Sequence, residues 1–366
     1  MKAAGCLAAI VFFGALLLAF GGLLVLGPHP SEPPVRPKEA SATPTPAASP
    51  PSESYLPYVA RLGRFRRDET AGRFELGFGF IDHQGRTQYL DCAVSRADWK
   101  RENERFGYDE TELNAELNRR LAVLADQEME RRGLKGMVKL RMHGAGGYEA
   151  DPAFVEGAEA AEQSRRLAEL KVFYAWLDSR FEEHNEAIQA DLFRERGFRV
   201  QDNKYYLDYR SMAVRNTAIL SDCFKALAKA GNGYRARQYL GMFTAFMQEI
   251  PYELPPDVVG RKKTNGLWVP TEVLVGHHGD CDSKSVAFAA LWRNFDSPVA
   301  LIEVPQHMLV AVEVKPGPGE NYVRIGNRYF VLCEVAGPGK SHPGARSVSG
   351  QFKYVLIPPE ARPRGL

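Results

Sequence analysis

The stretch PTEVLVGHHGDCDSKSVAFAALWRNFDSPVALIEVPQHMLVAVEV, Pro270 to Val314, places a cysteine at the head of an apolar run and a histidine 26 residues later in a β-like segment. Gly279 permits a sharp turn, Asp280 is a good N-cap, and Cys281 then opens a helix reaching about Asn294. Val286, Phe288, Ala289, Leu291 and Trp292 supply its buried face. The thiol therefore lies at the positive end of a helix, where the dipole favours thiolate by roughly 0.3–1 kcal/mol. Asp280 and Asp282 oppose this, so the helix end alone does not activate the sulfur and a histidine partner is required.

Three histidines are near in sequence: His277, His278 and His307. His307 is the strongest candidate, because Val299 to Val304 and Met308 to Val314 read as two strands with His307 where the second begins. His277 and His278 read as loop residues, with lining the cleft as their other role. A further strand pair, 321–324 and 329–335, ends in Tyr-Phe-Val-Leu-Cys-Glu, which offers Glu334 as an acid to orient the imidazole. Glu303 and Glu313 are rival acids. Glu303 precedes the histidine across Pro305, and Glu313 lies six residues along the His307 strand, about 20 Å away at ~3.3 Å per residue.

The pattern P-x-E-x-L-x-x-x-x-G-D-C-D, the His307 segment and the closing Tyr-Phe-Val-Leu-Cys-Glu together resemble the transglutaminase-like cysteine peptidase superfamily, in its bacterial members. The similarity covers about Tyr234 to Val355. Ser283 and Val335-Ala336 depart from the acid and the Pro-Thr that many relatives carry. The resemblance implies an α+β, papain-like fold with a catalytic helix against an antiparallel sheet. Cys281 is then the nucleophile, His307 the general base and Glu334 the orienting acid. The implied reaction is attack on an amide carbonyl of a protein or peptide through a thioester, resolved by water or, in a crosslinking enzyme, by an amine. A retained fold that only binds or assembles is the rival reading. By the same resemblance Trp268 is a candidate second oxyanion donor, with packing at the cleft wall as its other role. No cofactor is implied beyond a calcium ion that Asp280 and Asp282 could hold. A paired thiolate would alkylate quickly at pH 6, faster than Cys92, Cys223 or Cys333.

Four segments make up the chain. Residues 1–27 read as a transmembrane anchor, because Ala3 to Gly27 is charge-free and long enough to cross a ~30 Å hydrocarbon layer. Residues 28–54 are a stalk rich in proline, serine, threonine and alanine, carrying nine of the 24 prolines. Residues 55–150 read as a small α+β unit with strands near 74–80, 89–94 and 137–142 and a helix over 111–132. Residues 151–366 hold a long helix, capped by Asp151-Pro152 and striped by Leu170, Phe173, Leu177, Phe181, Ile188 and Leu192, and then the catalytic stretch. Shorter helices are expected around 212–230 and 236–249. The expected setting is a single-pass inner-membrane protein with its C-terminal domain in the periplasm, where Cys92 and Cys223 can pair. A net charge of +2 gives no reason to invoke nucleic acid. The sequence leaves the oligomeric state open.

Overall fold

The computed structural model describes residues 62–359, apart from 153–159, 203, 338 and 349. The expected anchor and stalk, 1–27 and 28–54, lie outside the described residues. No described helix is long and apolar enough to cross a membrane.

Alternation at period two puts Phe74, Leu76, Phe78 and Phe80 on one buried face, so the chain forms an antiparallel meander of β1 (Arg64–Glu69), β2 (Arg73–Ile81) and β3 (Thr87–Ser95). The basic cluster around Arg64 is the outer strand of this sheet, and Arg66 pairs there with Asp68 and Asp91. Next come α1 (Arg96–Arg105), capped by the Ser95 hydroxyl, and α2 (Glu110–Arg131), capped by Asp109. Leu113, Leu117, Leu121, Ala125 and Met129 form the buried stripe of α2 at four-residue spacing.

A hairpin of β4 (Val138–His143) and β5 (Gly147–Pro152) follows. It corrects one expectation: Asp151-Pro152 closes β5, with Pro152 opposite Val138, and does not cap a helix. The strand end tolerates proline because pairing stops there. The long helix is present as α3 (Ala160–Trp176), one π turn (Leu177–Phe181) and α4 (Glu182–Glu195), and Phe173, Leu177, Phe181 and Leu192 are its buried stripe.

Beyond it lie the hairpin β6 (Phe198–Gln201) and β7 (Lys204–Leu207), then α5 (Tyr209–Ile219), α6 (Ser221–Ala230) and α7 (Ala236–Glu249). The segment expected as one helix over 212–230 divides at Leu220. A short hairpin, β8 (Val258–Val259) with β9 (Lys262–Lys263), precedes α8 (Pro270–Gly276) and α9 (Cys281–Trp292).

The C-terminal strands are β10 (Val299–Val304), β11 (His307–Glu313), β12 (Tyr322–Ile325), β13 (Arg328–Cys333) and β14 (Lys353–Ile357). They form one antiparallel sheet in the order β12-β13-β11-β10-β14. Helix α9 packs on one face of it, against β10 and β11, with α5, α7 and α8 around the helix. On the opposite face Ile302, Leu309, Phe330 and Leu332 form a second cluster covered by Val348, Phe352 and Tyr354.

The architecture is thus α+β. Residues on both sides of 150 share one large apolar core, in which Phe78 and Phe80 of β2 meet Phe246 of α7 edge-on. Cys92 of β3 and Cys223 of α6 are joined in a disulfide that spans 131 residues of sequence. On a loop-closure argument such a link contributes about 5 kcal/mol by restricting the unfolded chain.

Candidate active site

The site begins with the turn into α9. Asp280 accepts the Ser283 N–H at 2.9 Å, which fixes the helix start and leaves Cys281 as its first residue. Gly279 is required by close approach, since a Cβ there would stand 2.7 Å from Lys284 Cγ. Cys281 is 9% exposed, and its Sγ–H donates to Asp282 Oδ1 at 3.2 Å. Burial first, and then the Asp282 carboxylate, push the thiol up to about 12, against the Met308 backbone N–H that faces the sulfur.

The sheet supplies the other two members. Strands β11 and β13 pair from Glu313–Phe330 as far as Val310–Cys333 and then part. Across that opening His307 Nε2 meets Glu334 Oε2 at 2.7 Å. The second Glu334 oxygen accepts the Ala336 N–H at 2.9 Å, so the carboxylate is held at both ends. The Glu334 hydrogen bond raises the His307 pKa above its ordinary value, against burial. For Glu334 burial acts upward, but His307 and the Ala336 N–H outweigh it and hold the carboxyl below its usual range.

The three expected residues therefore converge at one end of the sheet, with a difference in detail. His307 and Glu334 are directly bonded, whereas the Cys281 proton rests on Asp282 and not on the imidazole. Alkylation at pH 6 is accordingly expected to be slow, which reverses the expectation from sequence. Neutralising the acid should release the sulfur: Asp282→Asn is expected to speed iodoacetamide labelling of Cys281 at pH 8 by roughly tenfold for each pK unit recovered. Mass spectrometry of the labelled chain reads the rate, and an unchanged or slower rate would show that Asp282 does not restrain the thiol.

The remaining candidates are occupied elsewhere. His277 caps α8 in the left-handed region at φ 55° and stacks on Phe65. His278 lies between Glu272 and Glu253, at 3.3 and 3.4 Å, and stacks face to face on Trp268 at 3.8 Å. The Trp268 ring is thus part of the wall, while its backbone N–H donates to Ser283 Oγ at 3.0 Å. Glu313 pairs with Arg328, and Glu303, opposite Met308, is pushed up by burial; neither is bonded to His307. Asp280, Cys281 and Asp282 bring three ligand-type atoms within 4.8 Å of one another. Protein donors already engage both carboxylates: Ser283 N–H at Asp280, and the Cys281 thiol with the Tyr209 hydroxyl at Asp282.

No family model, curated protein or solved structure matches this chain. The chemistry of the site is therefore argued from its own atoms.

Three side chains at the site were not singled out from the sequence. Tyr209 donates to Asp282 Oδ2 at 2.7 Å from α5, 73 residues upstream, and no local pattern announces such a contact. Tyr252 is held beside the helix entrance by a parallel bridge to Gly279, in which Gly279 N–H donates to Pro251 O and Glu253 N–H to Gly279 O. It is 45% exposed, and its hydroxyl is raised by partial burial first, with Cys281 and the carboxylates of Asp280, Asp282 and Glu334 around it adding to the shift. Lys284, fully buried one turn into α9, donates to Ile250 O at 2.8 Å and Ala336 O at 2.6 Å. It ties the Tyr252 segment and the turn after Glu334 to α9. A lysine in an apolar helix was the available signal, since full burial of that residue demands fixed acceptors.

Proposed function

We propose that this chain is a thiol-dependent amide hydrolase of transglutaminase-like, papain-like fold, acting on a protein or peptide through Cys281, His307 and Glu334. The observation that carries the reading is the 2.7 Å His307–Glu334 bond at the strand ends that face a helix-terminal cysteine. With Nε2 committed to the carboxylate, Nδ1 is the imidazole nitrogen left to exchange a proton with sulfur.

In the proposed cycle the thiol turns from Asp282 toward His307, gives its proton to Nδ1, and the sulfur attacks the amide carbonyl. In this cycle the Cys281 backbone N–H and the Tyr252 hydroxyl donate to the resulting oxyanion. The imidazolium returns the proton to the departing amine, leaving a thioester that water hydrolyses. An amine in place of water gives transamidation from the same intermediate. The Cys92–Cys223 disulfide supports an oxidising setting, in keeping with a domain held in the periplasm by an inner-membrane anchor over residues 1–27.

The test is incubation of the full chain with a denatured protein mixture, scored by mass spectrometry for new termini and for deamidated or crosslinked glutamine. Products that vanish in Cys281→Ala are the expected result. Products that persist in that variant, or none from the native chain, would overturn the assignment. A second reading, a binding module that keeps the fold without catalysis, is favoured by one observation: the resting thiol is pushed up to about 12 and bonded to an acid.

A further inference from the structure

We propose that the cleft at the far end of α9 binds a small ligand through a phosphate monoester. The cleft, of about 570 Å³, is walled by α1, α4, α5, the 3₁₀ turn that follows α9, and Pro358. Arg293 opens that turn twelve residues beyond Cys281, about 18 Å along the helix axis at ~1.5 Å per residue, so this is not the thiol site.

The argument rests on how the charges in the cleft are satisfied. Arg293 is only 8% exposed, yet its bonds go to neutral groups: Nε to Pro358 O at 3.1 Å and Nη1 to Thr217 Oγ1 at 3.4 Å. Arg105 likewise spends its Nε on the backbone oxygen of Glu195, at 2.7 Å. Arg210 has no hydrogen bond or ion pair among the described residues. Arg215 reaches one carboxylate, Glu102, at 3.4 Å. The two acids in the lining do not balance them, because Asp191 is taken by Arg194, and Glu195 is taken by Arg120 from outside the cleft at 3.0 Å.

At Arg293 a guanidinium is removed from water without a counter-charge, which is costly, while Arg105 and Arg210 are exposed at the mouth of the cleft. At Arg215 burial lowers the pKa even against the Glu102 carboxylate, and the neighbouring Arg105 charge adds to it. Guanidinia converging from α1, α5 and the end of α9, with the Ser211 hydroxyl beside them, offer more donors than the two oxygens of one carboxylate accept. The three terminal oxygens and near-double charge of a phosphate monoester match that set. The volume leaves room for a body of sugar or lipid-headgroup size beyond the phosphate.

Titration calorimetry on the full chain tests this with two probes: ribose 5-phosphate as a soluble monoester, and monomeric dihexanoylphosphatidic acid as a lipid one. Binding of either is the expected result, and the probe that binds tells a soluble source from a membrane one. Arg210→Gln and Arg105→Gln should each weaken it about tenfold, as loss of one charge-assisted bond does. Arg210 is exposed and partnerless, so its variant does not disturb the fold. Arg324→Gln, on the distant strand β12, should leave binding unchanged. Binding of neither probe, or an equal loss in Arg324→Gln, overturns the proposal.

Discussion

Glu334→Gln is expected to leave the fold intact and to lower turnover by about 10²–10⁴, the scale of a disrupted acid–base element. The amide can still touch His307, but it carries no charge and no longer sets which imidazole nitrogen holds the proton. Glu303→Gln and Glu313→Gln should be nearly silent, because neither side chain is bonded to the imidazole. A readout independent of substrate is the His307 titration followed by NMR. The carboxylate raises that pKa, so the Gln variant should lower it. Stability changes in step. His307's contribution is full below its ordinary 6.5 and is lost as pH rises through the elevated value. Glu334's contribution is full above its ordinary 4.5 and is lost as pH falls through the depressed value. The native pair therefore stabilises most between the ordinary values of 4.5 and 6.5, and the Gln variant should lose that maximum. Full turnover in Glu334→Gln, on a substrate that Cys281→Ala leaves untouched, would mean that another group orients the histidine.

Lys284→Met is expected to give the largest loss of stability among single changes at the site. The thioether fills most of the space but donates nothing, which leaves Ile250 O and Ala336 O buried without a partner. At ~1–3 kcal/mol for each orphaned group, partly offset by no longer burying an ammonium, the net cost is about 3 kcal/mol. For a folded region of this size that is a fall of roughly 5 °C in Tm. Differential scanning calorimetry measures it, and an unchanged Tm would show that the two carbonyls find water or other donors. Because Ala336 also carries the N–H that holds Glu334, the variant should lower the His307 pKa as well.

What could be read in the sequence divides along a physical line. Elements defined by local periodicity or by a cap were legible: α7 over Ala236–Glu249, β10 over Val299–Val304 and the start of α9 at Cys281 lie where pattern and capping put them. The errors came where local signals compete. Asp151-Pro152 is as good a helix start as it is a strand end, and only pairing with Val138 decides between them. The break at Leu220 carries neither glycine nor proline to mark it. At the site, His307 and Glu334 could be ranked by strand order, but the resting partner of the thiol could not. Asp282 is adjacent to Cys281 in sequence, and whether it faces the sulfur or solvent depends on the buried Tyr209 hydroxyl behind it.

The link between Cys92 and Cys223 also bears on the order in which the molecule is made. Any process that delivers the chain N-terminus first, from a ribosome or through a membrane pore, presents both cysteines before Cys281 and Cys333, the two that are free among the described residues. The staple can close while the later thiols are still out of reach, so the correct partner is selected by timing as well as by geometry. Cys281 then arrives on a bed already fastened beneath it, after two thiols that could have competed for it have been consumed by each other.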